Sequence, residues 1–188
     1  MGLDMYLTRK HYIGGKWEFN DVKGEINITI GNKHLPIDLN KLDYIIEEVG
    51  YWRKANQIHN WFVKNVQDGE DDCKSYYVEI EQLKKLLEIC KTIKDTARLV
   101  PGKIKAGKKW VKDHWEQQYE EGKIIENVDE IKEKLPTTDG FFFGSTEYDE
   151  WYLEEIKTTI KILDNVVKED EELNKLGFSP EYEYRASW

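Results

Sequence analysis

The sequence is poor in the signatures that announce chemistry. It holds no Walker loop, no dinucleotide fingerprint, no HExxH, no CxxC and no GxSxG. Gly144-Ser145 is not a nucleophile elbow, because the second glycine is missing. There are only two cysteines, Cys73 and Cys90, which make no disulfide framework and have no ligand spacing. They read as two reduced thiols. The four histidines, His11, His34, His59 and His114, lack metal-ligand spacing. No metal, no cofactor and no catalytic set is therefore assigned. No apolar run approaches the length of a membrane span. The first residues lack the basic region and apolar core of a secretory signal, so the expectation is a cytoplasmic protein with no membrane partner. Net positive charge is lacking too. At −9 the chain is not a general binder of long nucleic acid, although one local basic pocket is compatible with that balance.

Aromatic residues are what the chain does have. They make up 13% of it, with seven Trp, so the mean hydropathy of −0.74 does not signal disorder. The 188 residues predict a single domain over 1–188, long enough for a real core without disulfides or metal. Leu3, Met5 and Leu7 alternate with Asp4, Tyr6 and Thr8, a half-buried strand. Trp17–Phe19 reads as a second short strand after Gly14-Gly15. Glu25–Leu35 reads as a hairpin closed by Gly31-Asn32. Asn40–Val49 fits either a helix or a strand; Tyr44-Ile45-Ile46 tips it toward a strand. Val78–Ala97 carries a helical stripe of Ile80, Leu83, Leu86, Leu87, Cys90 and Ile93, closed by Pro101-Gly102. Tyr148–Val167 predicts a third long helix, and Phe178–Trp188 alternates as a closing strand of the N-terminal sheet. The fold class is thus α+β: an antiparallel sheet packed against three main helices.

Two stretches stand out. Gly50–Val66 predicts a central helix from about Tyr51 to Asn65, with Ala55, Ile58, Phe62 and Val66 inward. Trp52, Asn56 and His59 would share one flank, beside Arg53, Lys54 and Trp61. Such polar groups near a core need partners, either an internal network or a ligand. The second is Gly140–Tyr152. Phe141–Phe143 predicts a short buried strand handing over to a helix, with Ser145 or Thr146 as its cap. Such a junction exposes backbone N–H groups suited to an anion, while Glu147, Asp149 and Glu150 suit the helix dipole equally well. Between them, 102–136 predicts a helical elaboration. Lys103, Lys105, Lys108, Lys109 and Lys112 gather there, followed by Trp110, Val111, His114, Trp115 and Tyr119 at helical spacing. Asn127 reads as the cap of a short helix ending before Pro136. The acids Asp68, Glu70, Asp71 and Asp72 lack the spacing of a calcium loop and read as a solvated loop.

Three stretches resemble a family of small uncharacterised bacteriophage and prophage proteins. They are Met1-Gly2-Leu3-Asp4-Met5-Tyr6-Leu7, Gly50–Val63 and Gly140–Asp149. The resemblance implies a phage origin and the cytoplasm of a host cell, and it implies no settled activity. With the residues, it frames three expectations. The first is a counter-defence protein that binds a small nucleotide-like anion. Its ligand-binding residues would be Trp52, Arg53, Asn56, His59, Phe143, Ser145, Thr146, Tyr148, Asp149 and Tyr152, on the chemistry of aromatic faces beside basic donors. The second is a protein-interaction inhibitor of a host factor, working through Lys103–Tyr119. The third is an enzyme with His59 as acid–base group. A homo-oligomer is compatible with each.

Overall fold

The computed structural model describes residues 2–14 and 26–188. The predicted strand at Trp17–Phe19 lies outside the described residues. The architecture is mixed α+β, with antiparallel pairing throughout. Strand β1 (Asp4–Tyr12) pairs with β4 (Tyr44–Arg53) on one side and β8 (Glu181–Ser187) on the other. Strand β5 (Tyr76–Val78) completes the order β4-β1-β8-β5. The C-terminal strand therefore joins the N-terminal sheet as expected, but as an inner strand. Strands β2 (Ile28–Ile30) and β3 (Lys33–Leu35) form the predicted hairpin about Gly31-Asn32, as a separate two-stranded sheet.

Alternation decides which side of the sheet is covered. Leu3, Met5 and Leu7 are buried, as are Tyr182, Tyr184 and Ala186. They share one core with helices α1 (Asn56–Asn65), α2 (Ile80–Thr96) and α4 (Glu150–Lys175). The inward stripe of α1 is the predicted one, with Ala55, Ile58 and Phe62 buried. Phe62 stacks flat on Tyr184, ring centroids 3.8 Å apart and 5° from parallel.

Four expectations are corrected. Tyr51–Arg53 belong to β4 and not to a helix. Gly50 lies inside that strand because a Cβ there would meet Ile162 at 2.9 Å, so it is a close-packing glycine and not a boundary. The switch comes at Lys54, whose φ of 61° lies in the left-handed region and turns the chain into α1. Second, 102–136 is no helical elaboration. Strands β6 (Leu99–Val111) and β7 (His114–Ile125) form a long hairpin, and only α3 (Val128–Lys134), with Asn127 at its cap, is helical. The aromatic spacing that suits a helix suits a strand pair equally. Gly102, Gly107 and Gly122 weigh against a helix, as does Lys112 at φ 55° in the turn. Pro101 lies within β6 and does not stop α2, which ends at Thr96. Third, Phe141–Phe143 forms turns and not a strand. Fourth, the cap of α4 is Asp149, not Ser145 or Thr146. Its carboxylate accepts from the N–H groups of Trp151 and Tyr152 at 2.9 and 3.1 Å.

Phe62 is fully enclosed and stacked, so Phe62→Ala is expected to lower unfolding free energy by about 3–5 kcal/mol. Urea denaturation followed by far-UV circular dichroism measures it. A midpoint like that of the wild type would mean this face does not organise the core.

Candidate functional site

The two landmark stretches meet. Asn56, the first residue of α1, is fully buried at 0% exposure. Its Nδ2 donates to the carbonyls of Phe143 and Ser145, at 3.1 and 2.7 Å. Its Oδ1 accepts from Thr138 N–H at 3.0 Å. One amide thus joins the start of α1 to both sides of the 138–145 loop. Gly144 adopts φ 92° and lies so close to Lys54 that a Cβ would meet its carbonyl at 3.0 Å. The junction is a packed, hydrogen-bonded joint and not an open cavity.

The other predicted site residues distribute around this joint. His59, also at 0%, lies between the Tyr184 hydroxyl at 2.8 Å and the Asp71 carboxylate at 3.0 Å. An ionised carboxylate only accepts, so Nε2 is the donor toward Asp71. The ring packs edge-on against Phe143 and lies near Trp188. The acidic loop is therefore not wholly solvated: Asp71 turns inward to close this network. Trp52 is buried and donates from Nε1 to Thr159 at 3.0 Å. The Tyr148 hydroxyl accepts from Thr137 N–H, and the Thr146 carbonyl accepts from the Thr137 hydroxyl. Tyr152 donates to the Leu135 carbonyl at 2.8 Å. Burial raises the Asp149 carboxyl above its ordinary value, against the pull of the two N–H groups that it caps. Ser145 is exposed and holds Glu147 N–H. Arg53 is exposed too, its Nε 3.8 Å from Asp4. Of the ten, Asn56, His59, Phe143, Ser145 and Thr146 converge at the joint, while Tyr148, Asp149 and Tyr152 support the helix behind it.

No family model, curated protein or solved structure matches this chain.

Outside the joint, the most unusual surface is the β6–β7 arm. Its base is anchored. Ile104 and Ile125 are buried, Ile125 N–H donates to Tyr148 O at 2.9 Å, and Ile124 bridges to Asp149. Lys105 reaches Glu147 at 2.5 Å. From Ala106 to Gln118, every hydrogen bond and ion pair among the described residues stays within the arm. That stretch extends roughly 20 Å at the usual rise of a strand.

Alternation sorts its side chains. Trp110 faces Trp115 across the ladder, Lys108 faces Gln117, and Lys105 faces Tyr119. Because 115, 117 and 119 alternate, these six share one side of the ribbon. The acid Glu116 pairs with Lys109 on the other side. One face therefore carries three aromatics and two lysines; Lys105 is already paired with Glu147, and Glu121, opposite Lys103, follows Tyr119 on the same side toward the base. Trp110, Trp115 and Tyr119 remain 54%, 61% and 57% exposed. The lysine and aromatic run was visible in the sequence; its division between two faces needed the register.

Among the described residues no cluster of three or more His, Cys, Asp or Glu can hold a metal ion. No helix among them is long and apolar enough to cross a membrane. Residues that sequence reasoning passed over are Gln57 and Glu155. Gln57 is buried and donates from Nε2 to Glu155 Oε2 at 2.7 Å, while its own Oε1 has no partner. Burial pushes the Glu155 carboxyl up to about 7. The signal was its spacing from Tyr152 and Thr159, which puts an acid on the inward flank of α4.

That shift has a sign. The folded state favours the protonated carboxyl, so this group's stabilisation is present below the ordinary value near 4.3. It is lost as pH rises through about 7. Glu155→Gln keeps an acceptor for Gln57 and removes the titration. The variant is expected to match the wild type near pH 5 and to exceed its stability at pH 8 by on the order of 2–3 kcal/mol. Thermal unfolding at both pH values measures it. Parallel curves would mean that Glu155 is not held protonated by burial.

Proposed function

We propose that this protein works by binding, holding an acidic partner protein against the aromatic and lysine face of the β6–β7 arm. One observation carries the reading: an anchored ribbon that presents Trp110, Trp115 and Tyr119 to solvent, interleaved with Lys105 and Lys108. A free two-stranded ribbon is marginal in water. The edge-on Trp110–Trp115 pair, at 5.3 Å, helps to hold the tip together, yet leaves both rings largely exposed. Exposed Trp and Tyr rings are the residue types that anchor protein interfaces. Lys108, with no ion pair among the described residues, favours a negatively charged partner, while Lys105 is held by Glu147. A long nucleic acid fits less well, because the chain as a whole carries −9. If the resemblance to phage proteins holds, the partner is a host protein and the outcome is its inhibition.

The nucleotide-like ligand has less support. The donors assigned to it, above all the Asn56 amide, are already engaged within the protein. His59 has no exposure through which to serve a substrate as acid or base.

Incorporating a photo-crosslinking phenylalanine analogue at Trp115, with Lys161 on the exposed side of α4 as control position, tests the reading in bacterial cells. A defined protein adduct is expected from the arm alone. The double change Trp110→Ala and Trp115→Ala should weaken binding of that protein at least tenfold, while folding stability moves by about 1 kcal/mol or less. Equal adducts from both positions, or an adduct with RNA only, would overturn it.

A further inference from the structure

We propose that the groove between β4 and the start of α4 is a binding site for an organic cation, an ammonium or guanidinium group on an apolar stem. This site is independent of the arm. The groove encloses about 260 Å³. Trp52 and Ala55 form its apolar floor, and the exposed rings of Tyr51 and Trp151 stand along it. Glu154 and Glu155, with Thr158 one turn on, project from α4 into the same space.

The chemistry follows from how the charges are placed. Gln57 holds one oxygen of Glu155 from behind, and among the described residues no other hydrogen bond reaches that carboxyl. Its second oxygen is thus left for the groove. The titratable and charged groups around it are Asp149, Tyr152, Glu154 and Lys157 on α4, and Tyr51 and Arg53 on β4. Arg53 is the cation that lines the groove, and Asp4, which also accepts from the Tyr51 hydroxyl at 2.5 Å, stands 3.8 Å from it. With Arg53 answered by Asp4, and Glu154 by Lys157 at 2.6 Å, the Glu155 carboxylate, once ionised, is the unanswered charge of the groove. A carboxylate with a vacant oxygen beside open aromatic faces is the setting that takes an organic cation, through a charge-assisted hydrogen bond and a cation–π contact. An anion would meet two carboxylates there. The burial that holds Glu155 protonated near neutral pH is relieved by a bound cation, so uptake of the ligand releases a proton.

Agmatine serves as the probe, with butylurea as its neutral counterpart, in calorimetry on the full chain. Agmatine is expected to bind at pH 8 and about tenfold more weakly at pH 6, where Glu155 is largely protonated. Glu155→Gln should lose at least tenfold at pH 8 and flatten the pH dependence. Trp151→Ala should weaken binding at both pH values and leave that dependence in place. Trp151 is exposed and Glu155→Gln keeps an acceptor for Gln57, and the unfolding curves of both variants verify folding. Three results would each overturn the site: no heat and no shift of the Trp151 indole signal in NMR at millimolar agmatine, equal binding of butylurea, or unchanged affinity in Glu155→Gln.

Discussion

The three hydrogen bonds of the Asn56 amide are the constraint on which the outer structure depends. They tie the start of α1 to Thr138, Phe143 and Ser145, and so fix the loop that leads into α4. That loop ends at Asp149, which caps α4 and bridges to Ile124 of the arm. Tyr148 just before it receives Ile125 N–H. The arm and the β4–α4 groove are therefore positioned by one buried side chain that touches neither. Buried amides are costly unless every donor and acceptor is matched, and here the match is made by backbone groups that would otherwise be orphaned at a loop.

The polar groups of the interior divide by the same logic. His59 lies between Tyr184 and Asp71, and Tyr182 donates to Asp170 at 3.1 Å. Arg9 joins Glu47 and Glu169 across the edge of the core, at 2.8 and 2.7 Å. Each is a closed set with its partners inside the protein. Closed sets specify a core; they leave little for a ligand. Glu155 differs, because only one of its oxygens is held and the other faces open space. The arm differs as well, because its aromatic rings stay in water although the chain has a core to put them in. Interaction with other molecules is expected where satisfaction is incomplete, and these two places are where it is.

Much of the fold was legible because it rests on local periodicity. Leu3, Met5 and Leu7 alternate, Tyr182, Tyr184 and Ala186 alternate, and the stripes of α1 and α2 repeat at helical spacing. These patterns survive because burial on one face decides them residue by residue. The boundaries around Gly50 misled because glycine marks both turns and close packing. Only the approach of Ile162 from α4 separates the two. The arm misled for a related reason: Trp110, Trp115 and Tyr119 fit a helix or a ribbon until strand pairing chooses.

The sequence by itself determined the class of fold and the inward faces of its main elements, and it singled out two unusual stretches whose polar groups needed partners. Tertiary structure alone decided that they meet and what that meeting is. Whether Asn56 and His59 serve a ligand or the protein depends on which groups stand within hydrogen-bond distance of them. Those groups come from positions 12 to 125 residues away along the chain. Tertiary structure also decided which side of the arm its lysines occupy and how deeply Glu155 is buried. Charge partners, register and desolvation are properties of neighbours in space, and a linear pattern carries them only where those neighbours are also close along the chain.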